Sequence, residues 1–332
     1  MELPAFVQIE PVGQCNLRCE MCPIQFRTDG PPHGPPAFMA FETFVQIIDQ
    51  FSTLKELHLQ GLGEPMMHPR FFDMVAYAAA KGIHVSTNSN MTLLNARRAE
   101  RCIASGLAEL HVSIDGATAE TYEGIRVRAH FDRVLRNLDL LLDTRERLGS
   151  QTPRLRLVMV IMRRNLPELP DIVKLAHQRT IDRIFVQHLC HDFGESSLPA
   201  HYRPMREFVQ AETLLEADAE QIEHYFGLAQ TVARELGVDL RLPRTRPRPH
   251  PPGTPGVKRC DWPWRGSYIS YDSHAMPCCM VATPDRINFG KVVEHSVEAT
   301  WNSPAYQQFR DQLGSDEPPE ICRSCAVYQG TF

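Results

Sequence analysis

Three cysteines near the start of the chain are the residues best suited to chemistry. Cys15, Cys19 and Cys22 are spaced Cys-x3-Cys-x2-Cys. Three thiolates can hold three corners of a cubane 4Fe–4S cluster, whereas a cluster that only transfers electrons normally takes four. A zinc site would need a fourth protein ligand or a water, and unpaired core thiols fit poorly with Arg18 and Glu20 between the cysteines. The spacing therefore favours a cluster with one open iron.

This run resembles the signature of the radical SAM superfamily. The resemblance implies that the open iron binds S-adenosylmethionine (SAM) and that one electron from the reduced cluster breaks a carbon–sulfur bond. The 5′-deoxyadenosyl radical so released abstracts hydrogen from a substrate. We also expect a flavodoxin- or ferredoxin-type electron donor.

Later segments resemble the parts of the same family that contact SAM. Residues 61–65 read Gly-Leu-Gly-Glu-Pro, similar to the family's G-G-E-P element, and Thr87-Asn88 resembles its T-N-G tip with Ser89 in place of glycine. Residues 113–116 read Ser-Ile-Asp-Gly and are followed by Arg126, similar to members in which a serine and an arginine contact the methionine carboxylate. Arginine suits that task because it is always charged and can bind a carboxylate through two nitrogens.

Two positions near this pocket have alternatives. Arg128 is the second choice for the carboxylate, and Asn165 either packs near adenine, as its equivalent does in relatives, or caps the next helix. The resemblance thus predicts SAM contacts at Gly61, Gly63, Glu64, Thr87, Asn88, Ser113, Asp115, Arg126 and Asn165.

Four more cysteines lie in the C-terminal quarter: Cys260, Cys278, Cys322 and Cys325. Residues 258–326 resemble the SPASM/twitch auxiliary-cluster domain, whose pattern has a glycine five residues before the second cysteine. That position is Ser273 here, so the count makes Cys278 the ligand. The resemblance implies one auxiliary 4Fe–4S cluster held entirely by protein, with a structural zinc as the alternative.

A fully ligated second cluster could accept the electron of a substrate radical that also loses a proton to a base, which gives dehydrogenation. In epimerisation a thiol would return hydrogen to the opposite face of the substrate, and the cluster would help reset that thiol. Cys190 and Cys279 are candidate hydrogen donors, although core packing is the ordinary place for a lone cysteine. His188, His191 and Asp192 lie where a substrate base would sit, although a satisfied histidine at the rim of the barrel is equally ordinary. Cys102 is expected to be structural.

Alternating strands and helices must position these residues. β-branched runs predict strands and apolar residues at three- and four-residue spacing predict helices, which together indicate parallel pairing and right-handed crossovers. The predicted strands are 6–10, 56–60, 84–87, 109–114, 155–161 and 183–188, and the helices are 40–51, 69–81, 96–105, 131–148 and 169–179. The expected fold class is α/β, a partial (β/α)6 barrel with a small C-terminal iron–sulfur domain. In such folds the chemistry lies at the carboxyl ends of the strands.

The same pattern divides the chain into three parts. Residues 1–240 form the barrel, with a helical extension after about residue 200. Residues 241–257 are rich in proline and arginine and predict an extended linker. Residues 258–332 form the auxiliary-cluster domain.

Composition limits the possible partners and location. The 332 residues carry a formal charge of −5, so there is no basic field for nucleic acid. We find no apolar run long enough to span a bilayer and no signal peptide. We therefore expect a cytoplasmic protein in which ten cysteines serve as ligands and buried thiols.

The resemblance implies an oxidoreductase or epimerase acting on a small polar metabolite, such as a sugar, aminocyclitol or nucleoside-like compound. The alternative is an enzyme that modifies a precursor peptide. The first strand begins at about residue 5, which leaves little room for the N-terminal peptide-binding domain of many such enzymes. A non-catalytic metal-binding or electron-transfer protein is the third possibility.

Overall fold

A nine-stranded, mostly parallel sheet is the centre of the molecule. The computed structural model describes residues 1–27, 37–189, 193–215, 217–247 and 260–332. The strands are β1 (Phe6–Ile9), β2 (Arg18–Cys19), β3 (Glu56–Leu59), β4 (His84–Ser89), β5 (Glu109–Ser113), β6 (Arg126–Val127), β7 (Arg154–Val160), β8 (Arg183–Gln187), β9 (Asp239–Arg241), β10 (Gly266–Ile269) and β11 (Ala275–Met276). The sheet order is β11-β10-β1-β3-β4-β5-β7-β8-β9, and β2 pairs separately with β6. All six predicted strands are present.

Helices connect the parallel strands and cover one face of the sheet. The first eight are α1 (Phe41–Ile48), α2 (Phe71–Ala80), α3 (Ala96–Ala104), α4 (Ala119–Ile125), α5 (Phe131–Arg147), α6 (Leu169–Gln178), α7 (Arg203–Glu212) and α8 (Ala219–Leu236). Six more follow: α9 (Trp262–Arg265), α10 (Val292–His295), α11 (Val297–Trp301), α12 (Pro304–Leu313), α13 (Glu320–Arg323) and α14 (Ala326–Gln329). The five predicted helices correspond to α1, α2, α3, α5 and α6.

The two faces of the central strands differ in polarity. Leu57, Val85, Leu110 and Leu157 point toward the helices and are fully buried. Side chains of the alternate residues point the other way, because successive residues of a strand face opposite sides. Many of these are polar, whereas a parallel sheet that is packed on both faces is apolar throughout. The polar face therefore borders a cavity.

The C-terminal segment joins the same sheet. β10 pairs in parallel with β1, with Phe6 opposite Gly266 and Ile9 opposite Ile269. Trp301 is buried, and its indole nitrogen donates to the Glu2 carbonyl at 3.0 Å. Residues 260–332 are thus attached to the barrel through shared backbone hydrogen bonds.

The predicted linker is described only at its start. Residue Arg244 donates its backbone N–H to Thr331 at 3.0 Å, which holds this stretch against the C-terminus. The rest of that segment, 248–257, lies outside the described residues. In the described ranges, no helix combines the length and the apolar character needed to cross a membrane.

Candidate active site

The three N-terminal cysteines line one cavity. Cys15, Cys19 and Cys22 border a space of about 440 Å³ at the carboxyl ends of the strands. The short β2–β6 pair fixes their loop, because it places Cys19 opposite Arg126. Burial raises the pKa of all three thiols, to about 12 for Cys22. They therefore stay protonated until a metal displaces the proton.

Gly63 allows the Gly-Glu-Pro turn to lie against the cysteine loop. A Cβ at this position would lie 2.1 Å from the Val12 oxygen and 2.5 Å from the Gln14 oxygen. The next residue, Glu64, donates its N–H to the same Gln14 oxygen at 3.1 Å. Only glycine fits this close approach.

The Glu64 carboxylate connects the ends of two strands. It is 3% exposed. Its Oε1 accepts from Ser89 Oγ at 2.9 Å and from the Met66 N–H at 3.1 Å, and its Oε2 accepts from the Asn90 N–H at 2.8 Å. Both oxygens are thus used in shaping the cavity wall.

Arg126 presents its guanidinium group to the cavity. Its Nε donates to Asp115 Oδ2 at 2.5 Å, and Asp115 Oδ1 accepts from the Val160 N–H at 2.8 Å. Although burial opposes it, Asp115 and Cys19 hold the pKa of Arg126 above its ordinary value. None of the described residues accepts a hydrogen bond from its two Nη groups. These groups can bind a carboxylate in the cavity.

The other predicted SAM contacts divide into two groups. Gly61, Asn88 and Ser113 line the cavity with Gly63, Glu64 and Arg126. The structure places Thr87, Asp115 and Asn165 outside that lining, and their contact with SAM stays a prediction. Thr87 faces the helices and donates to the Leu59 carbonyl at 2.8 Å.

Asn165 supports the site from behind. Its Nδ2 donates to the Asp115 carbonyl at 2.9 Å, and its Oδ1 accepts from the Met162 N–H at 2.7 Å. It makes no side-chain cap for the short helix that follows. The alternative arginine, Arg128, is exposed and is not part of the lining.

The four C-terminal cysteines face a second, small cavity. Cys260, Cys278, Cys322 and Cys325 line it, and apolar side chains including Phe309 and Leu313 close it. Burial raises the pKa of Cys260 to about 11 and that of Cys278 well above its usual range. In the part of the chain that the structure describes, no three His, Cys, Asp or Glu side chains are arranged to hold a single metal ion. The fit to a cluster rests on the four-thiol donor set and the shared cavity.

Ser273, the position from which the spacing to Cys278 was counted, has an unusual backbone conformation. Its φ is +72°, a left-handed conformation that glycine adopts most easily. The backbone there has the form that the family's glycine would favour, although this chain has serine.

The predicted catalytic residues are only partly described. Cys190, His191 and Asp192 lie outside the described residues. Cys279 lines the main cavity, while Cys278 lines the second one. His188 is 1% exposed and contacts the Arg244 carbonyl at 2.8 Å, so it does not face the cavity. Cys102 is fully buried in α3, as expected of a structural thiol.

Sequence reasoning missed the polar face of the strands. His58 Nδ1 lies 2.8 Å from Ser86 Oγ, and His111 Nδ1 lies 2.9 Å from Asn88 Oδ1. Burial and the neighbouring His111 lower the pKa of His58 to about 3, so its ring is neutral. The sequence signal for this polar face was the alternation of polar and apolar residues in β3, β4, β5 and β7.

Comparison with protein families agrees with this geometry. Residues 9–176, half of the chain, match the family model of the radical SAM superfamily, and residues 260–326 match SPASM, an iron–sulfur cluster-binding domain. The chain belongs to the radical SAM superfamily. Its cofactors are 4Fe–4S clusters and SAM, as the sequence predicted. The α/β fold class is confirmed as well.

Individual relatives are distant. The cofactor-modifying protein for tungsten-containing aldehyde ferredoxin oxidoreductase of Pyrococcus furiosus is 27% identical over 189 residues, which cover 55% of this chain and 51% of that protein. The AdoMet-dependent heme synthase of Methanosarcina barkeri is 24% identical over 339 residues, covering 97% of this chain and 91% of that protein. The alignment thus spans about half the length of the first relative and most of the second.

A solved structure shows the same fold. Streptococcus suis SuiB, crystallised with its precursor peptide SuiA, has a TM-score of 0.65 and 15% sequence identity, and the match covers 99% of this chain and 71% of SuiB. At this identity the likeness concerns the fold alone.

Proposed function

We propose that this chain is a radical SAM enzyme that oxidises a carbon atom in a peptide substrate. One observation carries the proposal. The cavity that contains Cys15, Cys19 and Cys22 is also lined by Cys279, Met280 and Ala282 of the C-terminal segment. A substrate in this cavity would lie between the two groups of cysteines.

The residues of the first group have distinct tasks. Cys15, Cys19 and Cys22 would hold the SAM-binding cluster, and Arg126, oriented by Asp115, would bind the SAM carboxylate. Bound there, the cluster and SAM together supply a 5′-deoxyadenosyl radical for hydrogen abstraction. Gly63 would bring the backbone close to the methionine part of SAM.

The residues of the second group would bind an auxiliary cluster. Cys260, Cys278, Cys322 and Cys325 lie around one cavity that apolar side chains close to water. A fully ligated cluster has no open iron for substrate, so its task would be to accept the electron that the substrate radical loses.

The cavity wall favours a peptide side chain over a sugar. Phe185, Leu189, Phe193, Met205 and Val209 form one apolar side of the cavity. Such a surface suits an amino-acid side chain, since burial of apolar area drives its binding. The fold shared with SuiB, which was crystallised with a precursor peptide, is consistent with this choice. The predicted small polar metabolite stays a prediction with less support.

A second candidate is oxidation of a tetrapyrrole. The heme synthase of Methanosarcina barkeri aligns with nearly the whole chain, whereas the Pyrococcus furiosus protein aligns with about half of it. A tetrapyrrole would also use the apolar wall of the cavity.

The test is a mass measurement on candidate substrates. The protein, reconstituted anaerobically with iron and sulfide, is mixed with SAM, a reductant, and short peptides encoded beside its gene or a porphyrin. The proposal expects a peptide two hydrogens lighter and an equal amount of 5′-deoxyadenosine. A Cys22→Ala variant should form neither product. Oxidation of the porphyrin with all peptides unchanged would establish the second candidate instead.

A further inference from the structure

The lining of the cavity includes an arginine whose hydrogen-bond donors are unused. Arg156 of β7 lines the cavity, and its register partner on β5 is His111, which in turn pairs with Asn88 of β4. We call Asn88, His111 and Arg156 the cavity floor. Arg156 lies 3.7 Å from Glu109 Oε2, which is too far for a hydrogen bond. Among the described residues it donates no hydrogen bond.

Arg156 differs from the other charged residues of the lining because it makes no hydrogen bond with a described residue. The described lining contains Glu64, Arg126 and Arg156 as charged side chains. Glu64 uses both oxygens in hydrogen bonds within the wall, and Arg126 is paired with Asp115. Arg126 is also the residue assigned to SAM. Arg156 forms a salt bridge with Glu109 at 3.7 Å but donates no hydrogen bond to it, so its N–H groups are the charged donors that remain for a substrate.

Asn88 adds a second donor on β4, on the other side of His111 from Arg156. Its Oδ1 contacts His111 Nδ1 at 2.9 Å, while its Nδ2 has no acceptor among the described residues. His111 is itself held by Glu109, whose Oε2 lies 3.3 Å from Nε2. Hydrogen bonding to His111 lowers the pKa of Glu109 to about 2, so that carboxylate stays ionised and keeps the floor in place. Strands β4 and β7, which flank β5 in the sheet, thus present N–H donors to the same space.

We infer that the cavity floor binds a carboxylate of the substrate, with Arg156 and Asn88 as its donors. Arginine recognises carboxylates through its planar fork, and such charge-assisted hydrogen bonds are stronger than neutral ones. This inference rests on the proposed function, because it names a group of the same substrate: an acidic side chain or C-terminus of the peptide. The floor would set which part of the peptide reaches the 5′ carbon of adenosine.

The test compares two small probes with the same carbon skeleton, one anionic and one neutral. Glutarate and glutaramide are titrated into the reconstituted protein, saturated with SAM and without reductant, and binding is followed by ligand-observed NMR. Saturation with SAM keeps the probes away from Arg126. Glutarate should bind about tenfold more tightly than glutaramide, from the strength of one hydrogen-bonded ion pair.

Variants assign the preference to the floor. Arg156→Gln should remove the preference for glutarate, and Arg156→Lys should keep part of it, since lysine retains the charge without the fork. Arg154→Gln is the matched control, because both arginines of β7 border a groove at the opposite ends of the strands but only Arg156 also lines the cavity. It should retain the full preference. Iron content and SAM binding confirm that each variant is folded.

Three results would overturn the inference: equal binding of both probes, binding of neither, or equal losses in Arg154→Gln and Arg156→Gln. None of these readings requires radical chemistry. Failure of the carboxylate site is therefore distinguishable from failure of the proposed peptide oxidation.

Discussion

Cys278 and Cys279 are neighbours in the chain, yet they line different cavities. Cys278 faces the small cavity with Cys260, Cys322 and Cys325. Cys279 faces the main cavity with Cys15. Burial raises the pKa of Cys279 to about 12, so it remains a protonated thiol at neutral pH. The proposed cluster ligand and the proposed substrate-side thiol thus face two different cavities.

This separation predicts different metal contents for two alanine variants. The protein should bind about eight irons, and Cys278→Ala should reduce this toward about four, since each cubane holds four. Cys279→Ala should keep all of them. Iron and acid-labile sulfide analysis after anaerobic reconstitution measures both. Zinc bound at the C-terminal cysteines would contradict the auxiliary cluster.

Arg126→Lys should weaken SAM binding by about tenfold without loss of iron. Lysine keeps the charge but cannot form the paired hydrogen bonds of a guanidinium to a carboxylate. Equilibrium dialysis with labelled SAM gives the affinity. Arg128→Lys is the control, because Arg128 is exposed and outside the lining. A larger loss in the Arg128 variant would transfer the role to that residue.

Two glycine variants should shift stability in opposite directions. Gly63→Ala should lower the free energy of unfolding by about 1–3 kcal/mol, because the new Cβ meets the Val12 backbone. Gly124 lies within α4, and a Cβ added there would have no atom within 4 Å. Gly124→Ala should therefore raise the free energy of unfolding by about 0.5–1 kcal/mol. Urea unfolding followed by circular dichroism measures both. Equal effects would mean that the turn is not tightly packed against the cysteine loop.

Isotope content of the product separates oxidation from epimerisation. We expect oxidation, so that product formed in heavy water loses two hydrogens and gains no deuterium. The reason is that the substrate radical would lose a proton to a base and its electron to the auxiliary cluster, so that no hydrogen is returned. Mass spectrometry reads both quantities. A product of unchanged skeleton mass that gains one deuterium, and loses this gain in Cys279→Ala with both clusters intact, would show that Cys279 returns hydrogen.

Local sequence patterns predicted most of the secondary structure. Apolar runs located the six strands, and cysteine spacing identified both thiol groups, because these signals are local in the sequence. The pairing of β10 with β1 was not predictable, since it joins residues far apart in the chain. Thr87 was assigned to the cavity by its motif, but it alternates with Asn88, and adjacent strand residues face opposite sides.

Formation of 5′-deoxyadenosine tests the central claim most directly. Reconstituted protein with SAM and dithionite should release 5′-deoxyadenosine and methionine, measured by liquid chromatography and mass spectrometry. Cys19→Ala should release neither, while Cys278→Ala should still cleave SAM without completing substrate oxidation. Protein that carries a full set of irons and binds SAM, yet releases no 5′-deoxyadenosine under these conditions, would contradict the account.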